Sequence, residues 1–147
     1  LMVAYHAVRK SGIRLHDRVL VVGSGIIGQL IGELAKKAGA SYVALSKVSD
    51  VKVARAKELG IFDAYFDGND PQREALLKGA TQGGFDLAFE AVGAEEALAT
   101  CLDGVRPGGE DRHDRQLRGA GGLLCHEPGG APGDPAHWQR LLYPEGV

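Results

Sequence analysis

The chain has 147 residues and a formal net charge of −2, from 17 Lys and Arg against 19 Asp and Glu. Its residues are 44% hydrophobic and 24% charged, which is typical of a globular domain and excludes collagen-like, wholly disordered and polytopic membrane classes. The near balance of charge gives no indication of binding to nucleic acid or to anionic lipid. Two cysteines without a CxxC spacing favour a cytoplasmic protein, and we expect neither a membrane span nor a signal peptide.

Strand and helix signals alternate along residues 1–109, which we predict to form one domain. Short β-branched or aromatic runs predict strands at 19–22, 42–45, 63–66 and 85–89. Apolar residues at helical spacing predict helices at 26–38, 51–59, 71–78 and 94–102, with Pro71 opening the third. A helix that follows each strand can connect it to a parallel neighbour by a crossover. We therefore predict an α/β fold with a doubly wound parallel sheet of the Rossmann type. The strand at 19–22 should then lie between those at 42–45 and 85–89.

A glycine-rich turn, Gly23-Ser24-Gly25-Ile26-Ile27-Gly28, follows the first strand and opens the first helix after it. This G-x-G-x-x-G is weak by itself, but its position between strand and helix is typical of dinucleotide-binding domains. Gly23 permits the tight turn, Gly25 lets the backbone approach a pyrophosphate, and Gly28 lets the helix pack closely. The amide groups at the helix start would bind the phosphates. A purely structural turn is the alternative, and the absence of Gly-Lys-Ser/Thr excludes a P-loop.

The end of the second strand is where a Rossmann domain distinguishes NAD from NADP. An Asp or Glu about 20 residues after the turn accepts hydrogen bonds from the ribose of NAD. Here Ser46 and Lys47 occupy that place, and Asp50 follows as the expected cap of the next helix. Lys47, with Lys52 one turn into the helix, could bind a 2′-phosphate, so the sequence favours NADP over NAD. Ordinary solvated lysines are the alternative.

Six segments, in this order, resemble the zinc-type medium-chain alcohol and polyol dehydrogenases, the group of sorbitol, butanediol and threonine dehydrogenases. They are VAYHAVR at 3–9, DRVLVVGSGIIG at 17–28, AKKAGA at 35–40, AKELG at 56–60, FDLAFEAVG at 85–93 and VRPGG at 105–109. The resemblance implies hydride transfer between a secondary alcohol and a nicotinamide, with Zn²⁺ polarising the alcohol oxygen. It places Ala91, Val92 and Gly93 beside the nicotinamide end of the cofactor.

The resemblance also implies parts that this sequence does not contain. In the family, the zinc ligands lie in a catalytic domain that would precede residue 1, and we predict no catalytic residue and no metal ligand in this chain. Because the chain begins with Leu in mid-pattern, we expect it to be the cofactor-binding part of a larger dehydrogenase, inactive alone. Family members form oligomers. The alternatives are a non-catalytic dinucleotide-binding regulator, a defective gene fragment and a methyltransferase-like domain.

Residues 110–147 have a different composition, with 11 Gly and Pro among 38 residues and no lysine. Such a segment is typical of irregular structure. Codons permitted for residues 110–119 encode Arg-Ile-Val-Thr-Ile-Gly in a shifted frame, which resembles the family's fifth strand. We therefore hypothesise a frameshift near residue 109, with a natural linker as the alternative. The sheet would then be incomplete at its C-terminal strands, and the outer edge of the strand at 85–89 would lack a partner.

Overall fold

The structure is a computed structural model that describes residues 2–47, 50–106 and 123–125. Helices and strands alternate after an opening helix. The helices are α1 (Met2–Ser11), α2 (Ile26–Lys37), α3 (Asp50–Leu59), α4 (Arg73–Ala80) and α5 (Glu95–Gly104). The strands are β1 (Arg18–Val22), β2 (Tyr42–Lys47), β3 (Ala64–Asp67), β4 (Leu87–Glu90) and β5 (Leu123–Cys125).

The sheet has the order β3-β2-β1-β4-β5. β1 lies between β2 and β4 and is parallel to both, with Val21 opposite Leu45 on one side and Phe89 on the other. β3 continues the parallel arrangement beyond β2. The predicted α/β class, the doubly wound parallel sheet and the central place of β1 are therefore confirmed.

The outer edge of β4 is not unpaired, as the sequence had led us to expect. β5 runs antiparallel to β4, with Ala88 opposite Cys125 and Glu90 opposite Leu123. An antiparallel partner satisfies backbone groups that an exposed edge would leave open. The prediction is thus wrong over 88–90. The boundary at 109 and the frameshift hypothesis fall mainly on residues outside the described ones, and they stay predictions.

Two apolar clusters cover the two faces of the sheet. The first joins Val21 and Leu45 of the strands to α1, α2 and α3, and includes Ile31 and Val53. The second joins Leu20 and Ala88 to α4 and α5, and includes Leu77 and Cys101. Strands buried on both faces read as continuous apolar runs, which explains why β1 was readily predicted from sequence.

Among the predicted boundaries that differ from the structure, three have an identifiable cause in the hydrogen bonding. Pro71 does not open α4, because the Asp70 carboxylate accepts the N–H of Gln72 at 2.8 Å and holds a turn before the helix begins at Arg73. β4 begins at Leu87 instead of residue 85, because Phe85 forms an isolated bridge with Val105. β3 begins one residue later than predicted, since Asp63 uses its carboxylate to accept the N–H of Val43 at 2.7 Å.

The first helix after β1 begins where predicted, directly after Gly25, and ends one residue earlier than predicted. Gly25 is its extended N-cap, and Lys37 is its last residue. Gly39 follows with φ of +108°, a conformation in the left-handed region that glycine adopts most readily. In the described part of the chain, no helix is long and apolar enough to cross a membrane.

Candidate functional site at the carboxyl ends of the strands

The carboxyl ends of β2, β1 and β4 meet at one edge of the sheet. Gly23, directly after β1, donates its N–H to the carbonyl of Ser46 at 3.0 Å. Ala91, directly after β4, donates to the carbonyl of Val22 at 2.8 Å. This edge is where ligands of open α/β sheets bind. The structure therefore brings together the glycine turn, the end of β2 and the segment 91–93.

Two positions of the turn must be glycine because neighbouring atoms of the chain leave no room for a Cβ. Gly23 has φ of +120°, and a Cβ there would lie 2.9 Å from Val92 Cγ2 and 3.0 Å from the carbonyl oxygen of Ala91. A Cβ on Gly28 would collide with the carbonyl oxygen of Gly23. These contacts allow α2 to begin against β1 and allow the segment after β4 to cover the turn.

Gly25 has no such internal reason to be glycine. Its φ is −70°, which any residue adopts, and a Cβ there would meet no atom within 4 Å. It is the N-cap of α2 and makes no side-chain capping bond, so the first amide groups of the helix lack the usual partner. A bare backbone at the positive end of a helix dipole is chemically suited to hold an anion.

The remaining turn residues contribute mainly backbone. Ser24 is 4% exposed, and its carbonyl accepts the side-chain N–H of Gln29 at 3.0 Å. Ile27 packs against the first apolar cluster. Ile26 is 77% exposed, so it is the turn residue whose side chain is available to a ligand or a neighbouring domain.

The segment after β4 is fixed by a carboxylate that the sequence analysis did not single out. Glu90 is 8% exposed, and its Oε1 accepts the N–H groups of Val92 and Gly93, each at 2.6 Å. Hydrogen bonds to an ionised acceptor are stronger than neutral ones. Val92, held in this way, is 45% exposed and lies against Gly23. Of the predicted residues 91–93, Ala91 and Val92 thus border Gly23 of the turn.

At the end of β2, the predicted ribose-reading residues have unequal surroundings. Ser46 is 1% exposed, and its hydroxyl has no hydrogen-bond partner among the described residues. Lys47 forms an ion pair with Asp50, the first residue of α3. Lys52 is exposed on α3, and its carbonyl oxygen lies 3.5 Å from Gln29 Nε2.

The Lys47–Asp50 pair changes the titration of both groups. The hydrogen bond from Lys47 lowers the pKa of the Asp50 carboxyl, and the lysine charge lowers it further. The pKa of Lys47 is raised, first by its hydrogen bond to Asp50 and then by the negative charges of Asp50 and Asp67. Asp50 therefore places a carboxylate beside Lys47 at the end of β2, although it comes three residues later in the sequence than the acid of NAD-binding domains.

Zinc does not fit the described part of the chain. Within 2–47, 50–106 and 123–125, no group of three or more His, Cys, Asp or Glu side chains could hold a metal ion. His6 lies exposed on α1. A structural or catalytic zinc needs at least three protein ligands.

Two residues of this edge were missed by the sequence analysis. Glu90 accepts the N–H groups of Val92 and Gly93 only because the chain turns at 91–93. The residue types there did not predict that turn. Asp50 was interpreted as a helix cap. The i, i+3 rule for ion pairs holds within a helix, and it gave no signal here because Lys47 lies on β2.

The order of the sheet and the glycine turn at its switch point define an α/β domain of the Rossmann type. The family model for zinc-binding dehydrogenases matches residues 27–110, which is more than half of the chain. The chain belongs to this family, that of the zinc-type medium-chain alcohol and polyol dehydrogenases.

Individual relatives agree with this assignment. The chain is 32% identical over 114 residues to L-idonate 5-dehydrogenase of Vitis vinifera, covering 75% of this chain and 31% of that protein. The structure of 2R,3R-butanediol dehydrogenase from Bacillus subtilis superposes with a TM-score of 0.64 at 33% identity, covering 73% of this chain and 30% of that one. A protein from Sinorhizobium meliloti 1021, solved bound to NADP, gives a TM-score of 0.61 at 31% identity, over 72% and 32% of the two chains. The chain thus spans about a third of the length of these relatives.

Proposed function

We propose that this chain is the cofactor-binding part of a dehydrogenase that transfers hydride between a secondary alcohol or polyol and a nicotinamide dinucleotide. The names of its relatives support an alcohol or polyol substrate, and the NADP-bound relative supports the cofactor class. When bound, the nicotinamide would supply the hydride chemistry. The residues of this chain would bind and orient it, and the zinc and substrate pocket would come from outside the described residues. We further propose that the protein acts in the cytoplasm.

The observation that carries the proposal is the unexplained glycine at position 25. Neither its backbone conformation nor its packing requires glycine, because a Cβ would meet no atom of the described residues within 4 Å. A pyrophosphate lying on the start of α2 would require it, since a methyl group would occupy the space of the phosphate. Gly23, Ser24, Ile26, Ile27 and Gly28 would add backbone groups and shape to the same cradle.

The experiment compares two glycine-to-alanine variants in the full chain. In Gly25→Ala, we expect the affinity for NADPH to fall by about tenfold or more, as lost charge-assisted hydrogen bonds imply. Its free energy of unfolding should stay within about 1 kcal/mol of the unsubstituted chain, because the conformation suits alanine. Gly79→Ala in α4 is the matched control, since a Cβ there also meets nothing within 4 Å; it should leave the affinity unchanged.

Titration of cofactor fluorescence and urea unfolding provide the two readouts. Equal NADPH affinity in both variants would contradict the proposed phosphate cradle. We propose a preference for NADP over NAD, supported by Lys47 and Lys52 at the end of β2 and on α3. We also propose that the chain alone shows no alcohol dehydrogenase turnover; measurable alcohol-dependent reduction of NADP by the purified chain would contradict that part.

A further inference from the structure

Gln29 makes two hydrogen bonds at the start of α2, one through its backbone and one through its side chain. Its backbone N–H donates to the carbonyl of Gly25, the N-cap of the helix, at 3.0 Å. Its side-chain Nε2 donates to the carbonyl of Ser24 at 3.0 Å. Side chains on a helix tilt toward its N-terminus, so the amide of Gln29 reaches back over the first turn. One residue therefore fixes two successive carbonyl groups of the glycine turn.

The direction of these two carbonyls sets the direction of the N–H groups that follow them. In a planar trans peptide, the C=O and the N–H point in opposite directions. Because the carbonyl of Ser24 is turned toward Gln29, the N–H of Gly25 points away from Gln29. The carbonyl of Gly25 sets the N–H of Ile26 in the same way. Among the described residues neither N–H group has an acceptor, so both are available to a bound anion.

We infer that Gln29 is a positioning residue of the phosphate cradle. Its side-chain amide holds the peptide between Ser24 and Gly25 in the orientation in which the Gly25 N–H donates to the pyrophosphate of the cofactor. The inference rests on the proposed function, because it concerns the same cradle. It goes further by naming the side chain that orients a backbone donor, whereas the glycines leave space for the ligand.

The surroundings of Gln29 favour one orientation of its amide group. Nε2 also lies 3.5 Å from the carbonyl oxygen of Lys52 on α3, so the two groups that it faces are both acceptors. Only the NH₂ end of a side-chain amide can donate, and its oxygen in this place would face two carbonyl oxygens. Gln29 is also partly buried. The same end of the amide is therefore kept toward Ser24.

A purely structural role for Gln29 is the alternative. A hydrogen bond from the first turn of a helix to the residue before its N-cap also stabilises the helix start, and its loss lowers the free energy of unfolding. Such a bond would not change the hydrogen bond that the Gly25 N–H makes in the bound complex. The experiment therefore needs a measurement at Gly25 itself, beside the affinity for the cofactor.

The test uses the full chain with Gln29→Met, which keeps the length of the side chain and removes its donors. We expect the NADPH dissociation constant of this variant to rise about fivefold, as the loss of one hydrogen bond implies. Ser41→Ala is the matched control, because the Ser41 hydroxyl also donates to a backbone carbonyl, that of His16 at 2.8 Å. It lies before the amino end of β2, far from the cradle, and its loss should leave the constant unchanged.

The amide resonance of Gly25 is the signal that a structural role would not move. Its absence from the nitrogen–proton correlation spectrum of Gly25→Ala identifies it. At saturating NADPH we expect this resonance to move downfield in the unsubstituted chain and in Ser41→Ala, because the N–H then donates to an ionised oxygen. In Gln29→Met, also at saturation, the downfield movement should be reduced, since the peptide is no longer held.

The outcomes separate this inference from the proposed function. If the unsubstituted chain binds NADPH and Gln29→Met has the same affinity as Ser41→Ala, the inference is overturned and the proposed function stands. A weaker affinity of Gln29→Met with an unchanged Gly25 movement would also overturn it, because Gln29 would then act by another route. If the folded, unsubstituted chain does not bind NADPH, the proposed function fails and this inference fails with it.

Discussion

Glu90 is the residue that holds the segment 91–93 against the glycine turn. Its single oxygen Oε1 accepts two backbone N–H groups, and the side chain is almost fully buried. Removing such an acceptor leaves the N–H groups of Val92 and Gly93 without their partner in the protein. The segment would then lose the position in which Val92 borders Gly23.

We expect Glu90→Ala to reduce stability by about 1–3 kcal/mol, because the two N–H groups lose their acceptor. NADPH affinity should fall with it by roughly tenfold, since the segment no longer borders the turn. Glu90→Gln should preserve most of the stability and most of the NADPH affinity, because the amide oxygen can accept the same two hydrogen bonds. Urea unfolding and cofactor titration on the same samples measure the two effects.

A variant at the opposite end of the sheet separates positioning from general destabilisation. Thr81 is 3% exposed, donates its hydroxyl to the carbonyl of Leu77 and accepts the N–H of Gly84. Thr81→Val should cost a similar free energy of unfolding and leave NADPH affinity unchanged. A parallel loss of affinity in Thr81→Val would mean that Glu90 acts only through stability.

At the scale of elements, Asp86 ties the start of β1 to the residues around β4 and the end of α5. Its carboxylate accepts the backbone N–H of Arg18 at 2.8 Å and the Nε–H of Arg18 at 3.2 Å. Its other oxygen lies 2.7 Å from Arg106 Nε. The tie joins residues 68 positions apart, so it forms only when the parallel sheet has assembled.

The pH dependence of stability follows from this tie. Burial raises the pKa of Asp86, but the hydrogen bonds from Arg18 and the charges of both arginines outweigh it, and the net pKa is lowered. A lowered native pKa means that the stabilisation is present above the unfolded value, about 3.9, and is lost as the pH falls through the native value. Neutral pH is therefore the condition in which the tie contributes fully.

Asp86→Asn should lower the free energy of unfolding by about 1–3 kcal/mol near pH 7, because a charged acceptor of several hydrogen bonds is replaced by a neutral one. The difference from the unsubstituted chain should shrink as the pH falls below the unfolded value and through the lowered native value of Asp86. Asp103→Asn is the control, since its pair with Arg73 is about a third exposed on both sides and should contribute less than about 1 kcal/mol. A difference that is constant with pH would contradict the ionic tie.

The elements that sequence predicted best are those whose limits depend on local chemistry. β1 ends at a glycine turn and α2 ends before Gly39, so both could be placed from their own residues. β4 was misplaced because its start is set by a partner distant in sequence, in the bridge between Phe85 and Val105. α4 was misplaced for a local reason, because the Asp70 turn holds Pro71 outside the helix. The Lys47–Asp50 pair joins residues three apart, but the spacing rule for such pairs does not apply because Lys47 lies on β2. The partners of Glu90 depend on a loop conformation that no spacing rule specifies.

At the scale of the molecule, the order of the four parallel strands could be predicted because the glycine turn after β1 indicates a Rossmann domain, in which the first strand lies between the second and the fourth. β5 could not, since its residues lie in a Gly- and Pro-rich segment without a strand signal. The sheet separates two apolar clusters that share only its backbone. Ile31 belongs to one cluster and Leu77 to the other, and both are fully buried.

This separation predicts additive effects of core substitutions on the two faces. Ile31→Val should cost about 0.5–1.5 kcal/mol and Leu77→Ala about 2–5 kcal/mol, from lost burial and the remaining cavity. In the double variant the two costs should add within about 0.5 kcal/mol, because the side chains share no partner. Urea unfolding of the four chains measures the coupling energy. A coupling well above that value would mean that the sheet transmits packing changes between its faces.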